Sequence, residues 1–303
     1  MNAIPLIHMS VALVLAPLLL GVINRTKARI AGRDGTPLLQ LYFDLWKLMH
    51  KGAVYSHATT WVFRAGPLIG LASVLGALLL TPFGKSSAVM AFDGDLVLFV
   101  YWLGLMRFVT VLAALDTGSS FEGMGASREV FFSALAEPAF LLGLLGLARV
   151  TNAISLSTIL PGVTAVTWLS TGPALALIAA AWLVILLAEN ARIPVDDPNT
   201  HLELTMIHEV MVLDHGGPDL GLILYGAALK LWVMGALLVS LLTPVRHGVA
   251  WQDTLVFLGG MLILAVAIGL IEGAMARLRL TRVPQLLMGA SALAALALIL
   301  IIK

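Results

Sequence analysis

Eight long apolar blocks are the feature that most restricts the fold of this chain. Each approaches the ~20 residues that an α-helix needs to cross a bilayer core of about 30 Å. In lipid the backbone must be hydrogen-bonded within each segment, and the alternation typical of barrel strands is absent, so the blocks predict helices. The 303-residue chain is 60% hydrophobic and only 12% charged, whereas soluble domains carry about 25% charged residues. The sequence therefore predicts an all-α polytopic membrane protein, a single integral membrane domain with spans at about residues 4–23, 62–80, 96–115, 130–148, 173–188, 220–242, 255–271 and 283–302.

Lysine and arginine are concentrated in the loops that follow odd-numbered spans, chiefly the first and the seventh. Under the positive-inside rule, this distribution predicts that the odd loops are cytoplasmic and that both termini face the other side of a prokaryotic cytoplasmic membrane. A topology reporter at Lys303 that is found in the cytoplasm would contradict this orientation. The first block is followed by Arg25, Lys27 and Arg29, a flank typical of a retained span rather than a cleaved signal peptide.

The first loop contains a segment that is not a span. Between Leu38 and Lys51, apolar residues recur at the spacing of one helix face, and Gln40, Asp44 and Lys47 lie on the opposite face. This pattern predicts an amphipathic helix on the cytoplasmic membrane surface. Two interpretations remain open: a lipid-facing anchor, or the wall of a cavity beneath a partner subunit.

Several charged residues lie inside or at the ends of the predicted spans. A charge near the bilayer centre costs at least about 2.5–3.5 kcal/mol, so such groups normally face a partner or a wet cavity. One interpretation is static pairing between helices; the favoured one is a path for protons or other cations. The residues concerned are Arg107, Glu137, Glu189, Lys230 and Glu272.

Acidic residues also mark the third and fifth loops, at residues 116–129 and 189–219. We expect Asp196 and Glu203 to take up protons from the cytoplasm, although a solvated, docked loop would have a similar composition. Gly123 and Gly125 predict a tight turn in the third loop. The spacing of His201, His208 and His215 places them on one helix face and would allow a metal-binding stripe, but Val212 excludes the zincin pattern.

The chain alone is not predicted to be a catalyst. It has no cysteine, which excludes disulfides and thiolate ligands to an iron–sulfur cluster. Any redox centre therefore lies on another chain or is a diffusible carrier. A net charge of +1 gives no electrostatic footprint for nucleic acid. The sequence predicts neither a catalytic nor a metal site.

Three loops resemble those of a known family. The stretch Arg33–Gln40, followed by Asp44 and Lys47, resembles the first loop of the subunit 1 family of respiratory complex I. The third loop, Gly118–Glu129, is similar to that of formate hydrogenlyases and energy-converting (hydrogenase-4-like, group 4) hydrogenases. The fifth-loop pattern and the last cytoplasmic loop also match, at Glu189, Arg192, Pro194, Asp196, Glu203 and Ala274–Arg279.

This resemblance implies a membrane anchor beside a peripheral electron-transfer module. Iron–sulfur clusters, and in hydrogenases a nickel–iron centre, would belong to hydrogenase-like large and small subunits, next to antiporter-like membrane subunits. By position, the resemblance assigns Glu137, Glu189, Asp196 and Glu203 to the ion path. It assigns the docking surface and cavity to Asp44, Lys47, Arg128, Glu129, Arg192, Asp197, His201 and Glu209.

Two departures favour the hydrogenase branch over the quinone reductases. Val195 stands where complex I subunits usually have Phe, and Leu237-Leu238 occupies a position in the sixth span where they tend to carry an acid. Three hypotheses remain. The first is a coupling subunit of a hydrogenase or formate hydrogenlyase-like complex, the second is the quinone-chamber subunit of a complex I-like oxidoreductase, and the third is a structural anchor only.

Overall fold

Helices dominate the computed structural model of the chain, which describes residues 3–84, 86–197, 206–244 and 249–303. Eight of the described helices are long and apolar enough to span a membrane, which confirms the all-α polytopic fold. The spans are α1, α3, α4, α5, α7, α8, α9 and α10. The helices are α1 Ala3–Ile30, α2 Gln40–Met49, α3 Trp61–Leu80, α4 Asp95–Asp116, α5 Ser120–Thr151, α6 Leu156–Gly162, α7 Ala165–Glu189, α8 Gly217–Leu242, α9 Ala250–Ala274 and α10 Val283–Ile302.

Helix α8 is the centre of the bundle. In its most apolar stretch 72% of the residues are buried, compared with 22% in α10. Trp232 is almost completely buried within it, and α8 packs against α1, α2, α3, α7 and α9. The end of the bundle that carries the first, third, fifth and seventh loops is called the odd-loop end below, and the opposite end the even-loop end.

The fourth predicted span begins too late by ten residues. The sequence places Ser120–Glu129 in the third loop, with a turn at Gly123 and Gly125, whereas α5 is already helical from Ser120. The reason is packing: a Cβ on Gly125 would lie 2.3 Å from Cγ1 of Val210 and 3.0 Å from the carbonyl oxygen of Ile207. The glycine therefore serves close contact between α5 and the fifth loop, rather than a turn.

Other boundaries differ for local reasons. Helix α1 continues to Ile30, seven residues past the predicted Ile23, because charged residues suit a helix once it leaves the apolar core. Helix α7 begins at Ala165 with a Thr164–Thr167 capping box and has a non-helical residue at Thr171, next to Pro173. The short helix α6 was not predicted.

The predicted amphipathic helix is confirmed as α2. None of its residues is fully buried, and the side chains of Phe43 and Trp46 are exposed. It is held against α1 by a hydrogen bond from the Tyr42 hydroxyl to the carbonyl oxygen of Val14. The backbone of Leu38 also lies where a Cβ on Gly21 would be. Helix α2 thus packs against α1 and α8.

Buried polar residues at the even-loop end form local hydrogen bonds. The carboxylate of Asp95, at the start of α4, accepts from the Ser155 hydroxyl at 2.6 Å and from the backbone N–H of Leu156 at 2.7 Å. It thereby caps the first turn of α6. Nε2 of His8 lies 2.8 Å from the hydroxyl of Thr254 and joins α1 to α9.

Candidate functional site: a charged cavity at the odd-loop end

A cavity of about 310 Å³ lies between α1, α2, α4, α8 and the fifth loop. Apolar side chains such as Leu20, Leu41, Ile223 and Leu231 form much of its wall. Charged and titratable groups converge on the same space. They are Asp44, Arg107, Glu129, Glu189, Arg192, His208, Glu209 and Lys230.

Arg107 connects three helices. Its guanidinium lies 2.5 Å from Oε1 of Glu137 on α5 and 2.8 Å from Oε1 of Glu189 on α7. Its Nε is 3.6 Å from Oε1 of Glu129. Arg107 lies nine residues before the end of α4, about 14 Å into the bundle at about 1.5 Å per residue. One cation therefore faces three carboxylates inside the membrane-spanning part.

Lys230 binds the same carboxylate from α8. Its Nζ lies 2.7 Å from Oε2 of Glu189 and 2.7 Å from the backbone carbonyl oxygen of Glu189. Because Glu189 is the last residue of α7, the lysine also satisfies a carbonyl at the negative end of that helix dipole. The sequence-based expectation that opposite charges pair across helices is confirmed for Arg107, Glu137, Glu189 and Lys230.

The fifth loop adds a second branch through Asp196. One oxygen of this buried carboxylate accepts from the backbone N–H groups of Ile207 and His208, at 3.2 and 3.1 Å. The other oxygen lies 3.0 Å from Arg277. Burial alone would raise the pKa of Asp196, but the hydrogen bonds and charge of His208 and the charge of Arg277 hold it below its usual value.

A third branch joins α1, α9 and the fifth loop. Arg192 lies 3.3 Å from Glu272, and Lys27 lies 3.6 Å from Glu272 and 3.5 Å from Asp197. The carboxylate of Glu272 is buried, so its two cationic neighbours offset the cost of removing its charge from water. This branch brings Glu272, Arg192 and Asp197 together, three of the residues selected from the sequence.

Contacts with α5 fix the position of the loop. Arg128 donates to the backbone carbonyl of Met206 at 2.9 Å, and Glu122 accepts from the backbone N–H of Asp214 at 3.0 Å. With Gly125 between them, these residues hold the segment that carries His208 and Glu209 against α5. Burial, together with repulsion from Asp196 and Asp197, raises the pKa of Glu209 to about 7.

Other predicted residues lie outside these pairs. Asp44 lines the cavity and accepts from Gln40 at 2.9 Å, while Lys47 is exposed on α2. His201 and Glu203 lie outside the described residues. His208 was missed as a site residue, although its apolar neighbours Ile207 and Val210 are a signal of burial in the sequence.

The predicted histidine stripe is wrong for the two histidines that the structure describes. His208 precedes a 3-10 turn at Glu209–Val212 rather than an α-helix, and it lies beside Asp196 and Glu129. His215 is instead stacked on Phe63 with ring centroids 3.9 Å apart. Within the described ranges, no group of three or more His, Asp or Glu side chains is arranged to hold a metal ion.

The arrangement suits proton handling. Carboxylates and an imidazole lie within hydrogen-bond or ion-pair distance of one another, from the loop to the interior of the bundle, so a proton bound at one group changes the field at the next. The adjoining apolar cavity is within the size range of small-molecule sites.

Comparison with known proteins places the chain in a family. The family model of NADH dehydrogenase matches residues 3–303. The chain is 31% identical to formate hydrogenlyase subunit 4 of Escherichia coli K12, over 93% of this chain and 92% of that protein. It is 33% identical to hydrogenase-4 component C of the same organism, over 77% and 73%.

More distant proteins share the same architecture. Identity to a membrane-complex relative from Rubrobacter xylanophilus, a subunit of its NADH-quinone oxidoreductase, is 28%, over 73% of this chain and 65% of that protein. A chain in the structure of the membrane-bound sulfane sulfur reductase, an archaeal respiratory membrane complex, shares the fold with a TM-score of 0.83 at 19% identity, over 98% of both chains. The chain therefore belongs to the NADH dehydrogenase family of multi-pass membrane proteins, among the relatives of formate hydrogenlyase subunit 4 and hydrogenase-4 component C.

Proposed function

We propose that this chain anchors a peripheral redox module to the membrane and couples its electron transfer to proton or sodium translocation, as a subunit of a hydrogenase or formate hydrogenlyase-like complex. The observation that carries the proposal is the chain of ion pairs from the odd-loop end into the bundle, Asp196–His208–Glu129–Arg107–Glu189–Lys230. The named relatives are subunits of such complexes.

The charge balance of this chain supports a coupling role. Arg107 and Lys230 face three carboxylates, those of Glu129, Glu137 and Glu189. A proton taken up by one of them relieves the excess negative charge, and a charge change in a docked redox module would alter proton affinities along the same network. Such a network converts an electrical change at the odd-loop end into a proton movement within the bundle.

Glu137 supports the presence of a second membrane subunit. Its side chain is 48% exposed, about midway along α5, where a lipid-facing carboxylate would be costly. An antiporter-like subunit packed against this face would cover it and would receive the ion. Because the chain has no cysteine, Leu141→Cys on the same exposed face should cross-link to that subunit. Reaction with lipid-soluble probes alone would contradict the proposed contact.

The coupling role is tested by Glu189→Gln in the assembled complex, reconstituted in liposomes. We expect the complex to assemble and transfer electrons while ion translocation falls at least about tenfold, the lower end of effects for a lost proton-transfer group. The matched control is Glu122→Gln, also a buried glutamate, whose carboxylate contacts the backbone of Asp214. Unchanged translocation in Glu189→Gln would contradict the proposal.

A second candidate, a quinone chamber, is favoured by the volume and apolar walls of the cavity. Leu20, Leu41 and Leu231 would contact an apolar ring or tail, and the chemistry supplied by a quinone would be acceptance of electrons and protons. Quinone that co-purifies with the complex, or inhibition by quinone-site ligands, would favour this function. If neutralising the buried acids changed stability but not coupling, the chain would be a structural anchor only.

A further inference from the structure

His208 lies between two carboxylates that come from different parts of the chain. Its Nδ1 is 3.4 Å from Oδ2 of Asp196 in the fifth loop, and its Nε2 is 3.1 Å from Oε2 of Glu129 on α5. Asp196 is also bound by Arg277, and Glu129 also faces Arg107. The imidazole therefore connects the ion pair of the loop to the ion pairs inside the bundle.

The backbone, rather than the ring, holds His208 in this position. The N–H groups of Ile207 and His208 both donate to Asp196, and the buried side chains of Ile207 and Val210 anchor the turn against Gly125. The contact of Nε2 with Glu129 has the distance of an ion pair but lacks hydrogen-bond geometry. A small rotation of the ring would align it, so the imidazole can exchange partners without moving the loop.

Charged groups surround the imidazole on each side. Glu129 and Asp196 stabilise its protonated form, whereas burial and the charge of Lys230 oppose it, and the net result is a raised pKa of His208. Glu209 lies next in sequence, with a pKa raised to about 7. Arg277 and Arg107 act from the far sides of the two carboxylates. Histidine is the side chain whose charge changes most readily near neutral pH.

We propose that His208 transfers protons between Asp196 at the loop and Glu129 on α5, a specific entry step that rests on the coupling function proposed above. A proton passes from the Asp196 carboxyl to Nδ1 of an imidazole that carries its hydrogen on Nε2. The Nε2 proton then passes to the Glu129 carboxylate, which leaves the Nδ1–H tautomer. Rotation of the ring by about half a turn restores the starting tautomer, and one proton has entered for each one that leaves.

The test uses the assembled complex in liposomes, with proton translocation measured per electron transferred across a range of pH. His208→Gln keeps a hydrogen-bonding side chain but cannot be protonated, so we expect translocation to fall at least about tenfold while assembly and electron transfer persist. His208→Ala leaves space beside the cavity. Added imidazole should restore part of the translocation, in proportion to the concentration of the free base.

The matched control is His215→Gln, which removes a second buried loop histidine seven residues away, stacked on Phe63. Its translocation should equal that of the unmodified complex, and imidazole should have no effect on it. If His208→Gln translocates normally while Glu189→Gln does not, the His208 step is wrong and the coupling function stands. If neither variant loses translocation, both are wrong. A His208→Ala defect that imidazole does not relieve would also overturn the proton-transfer role.

Discussion

The two ends of the bundle bury carboxylates in different ways. At the even-loop end, Asp95 is bound by a hydroxyl and a backbone N–H, and each contact is part of a helix cap. At the odd-loop end, Glu189 is shared by Arg107 and Lys230, and Arg107 is in turn shared with Glu129 and Glu137. A carboxylate bound by neutral donors fixes structure. Carboxylates that compete for the same cations can change protonation with little rearrangement.

Removing a cation from the odd-loop end should give the largest loss of stability. Lys230→Met keeps much of the side-chain volume but leaves Glu189 buried with Arg107 as its cationic partner. We expect a loss of about 3 kcal/mol, because a buried charge that loses its partner costs this much. Unfolding of the purified chain in detergent measures it. Lys230→Met combined with Glu189→Gln should recover part of the loss; equal losses in the single and double variants would contradict ion pairing.

At the even-loop end, Asp95→Ala should cost less and should act on stability alone. The substitution leaves the Ser155 hydroxyl and the Leu156 N–H without their acceptor, which costs about 1–3 kcal/mol. The same unfolding measurement applies. Proton translocation by the assembled complex should remain normal, and a translocation defect here would remove the distinction between the two ends.

Gly125→Ala should disturb the loop rather than α5 itself. The new Cβ would lie 2.3 Å from Cγ1 of Val210, so we expect overpacking of about 1–3 kcal/mol and displacement of the turn that carries His208. Val210→Ala removes the side-chain atom that would clash. The double variant should therefore be more stable than Gly125→Ala alone, and a double variant that is less stable would contradict this contact.

Glu209→Gln should give the smallest effect, with a defined dependence on pH. The pKa of Glu209 is raised to about 7 from an ordinary value of 4.5, so the folded chain loses stability as pH rises between these values. Glutamine avoids that loss. Above pH 7 we expect the variant to be more stable by about 1 kcal/mol or less, since solvent screens this group. Below pH 4.5 the two proteins should unfold alike.

Sequence alone was sufficient for the spans, because continuous apolar length depends on the bilayer and not on long-range contacts. It also identified Arg107, Glu137, Glu189 and Lys230 as charges that need partners. It could not identify the partners, since Glu129 and His208 meet only after α5 and the fifth loop pack together. Gly123 and Gly125 misled the prediction of α5 because a glycine needed for close packing looks the same in a sequence as one needed for a turn.

Protons translocated per electron transferred, measured with the assembled complex in liposomes, test the central claim most directly. Two variants alter the odd-loop network, Glu189→Gln and His208→Gln, and two alter buried polar groups outside it, Asp95→Asn and His215→Gln. The account predicts that the first pair loses translocation at least about tenfold while the second pair retains it. Normal translocation in the first pair, or equal loss in all four, would contradict the account.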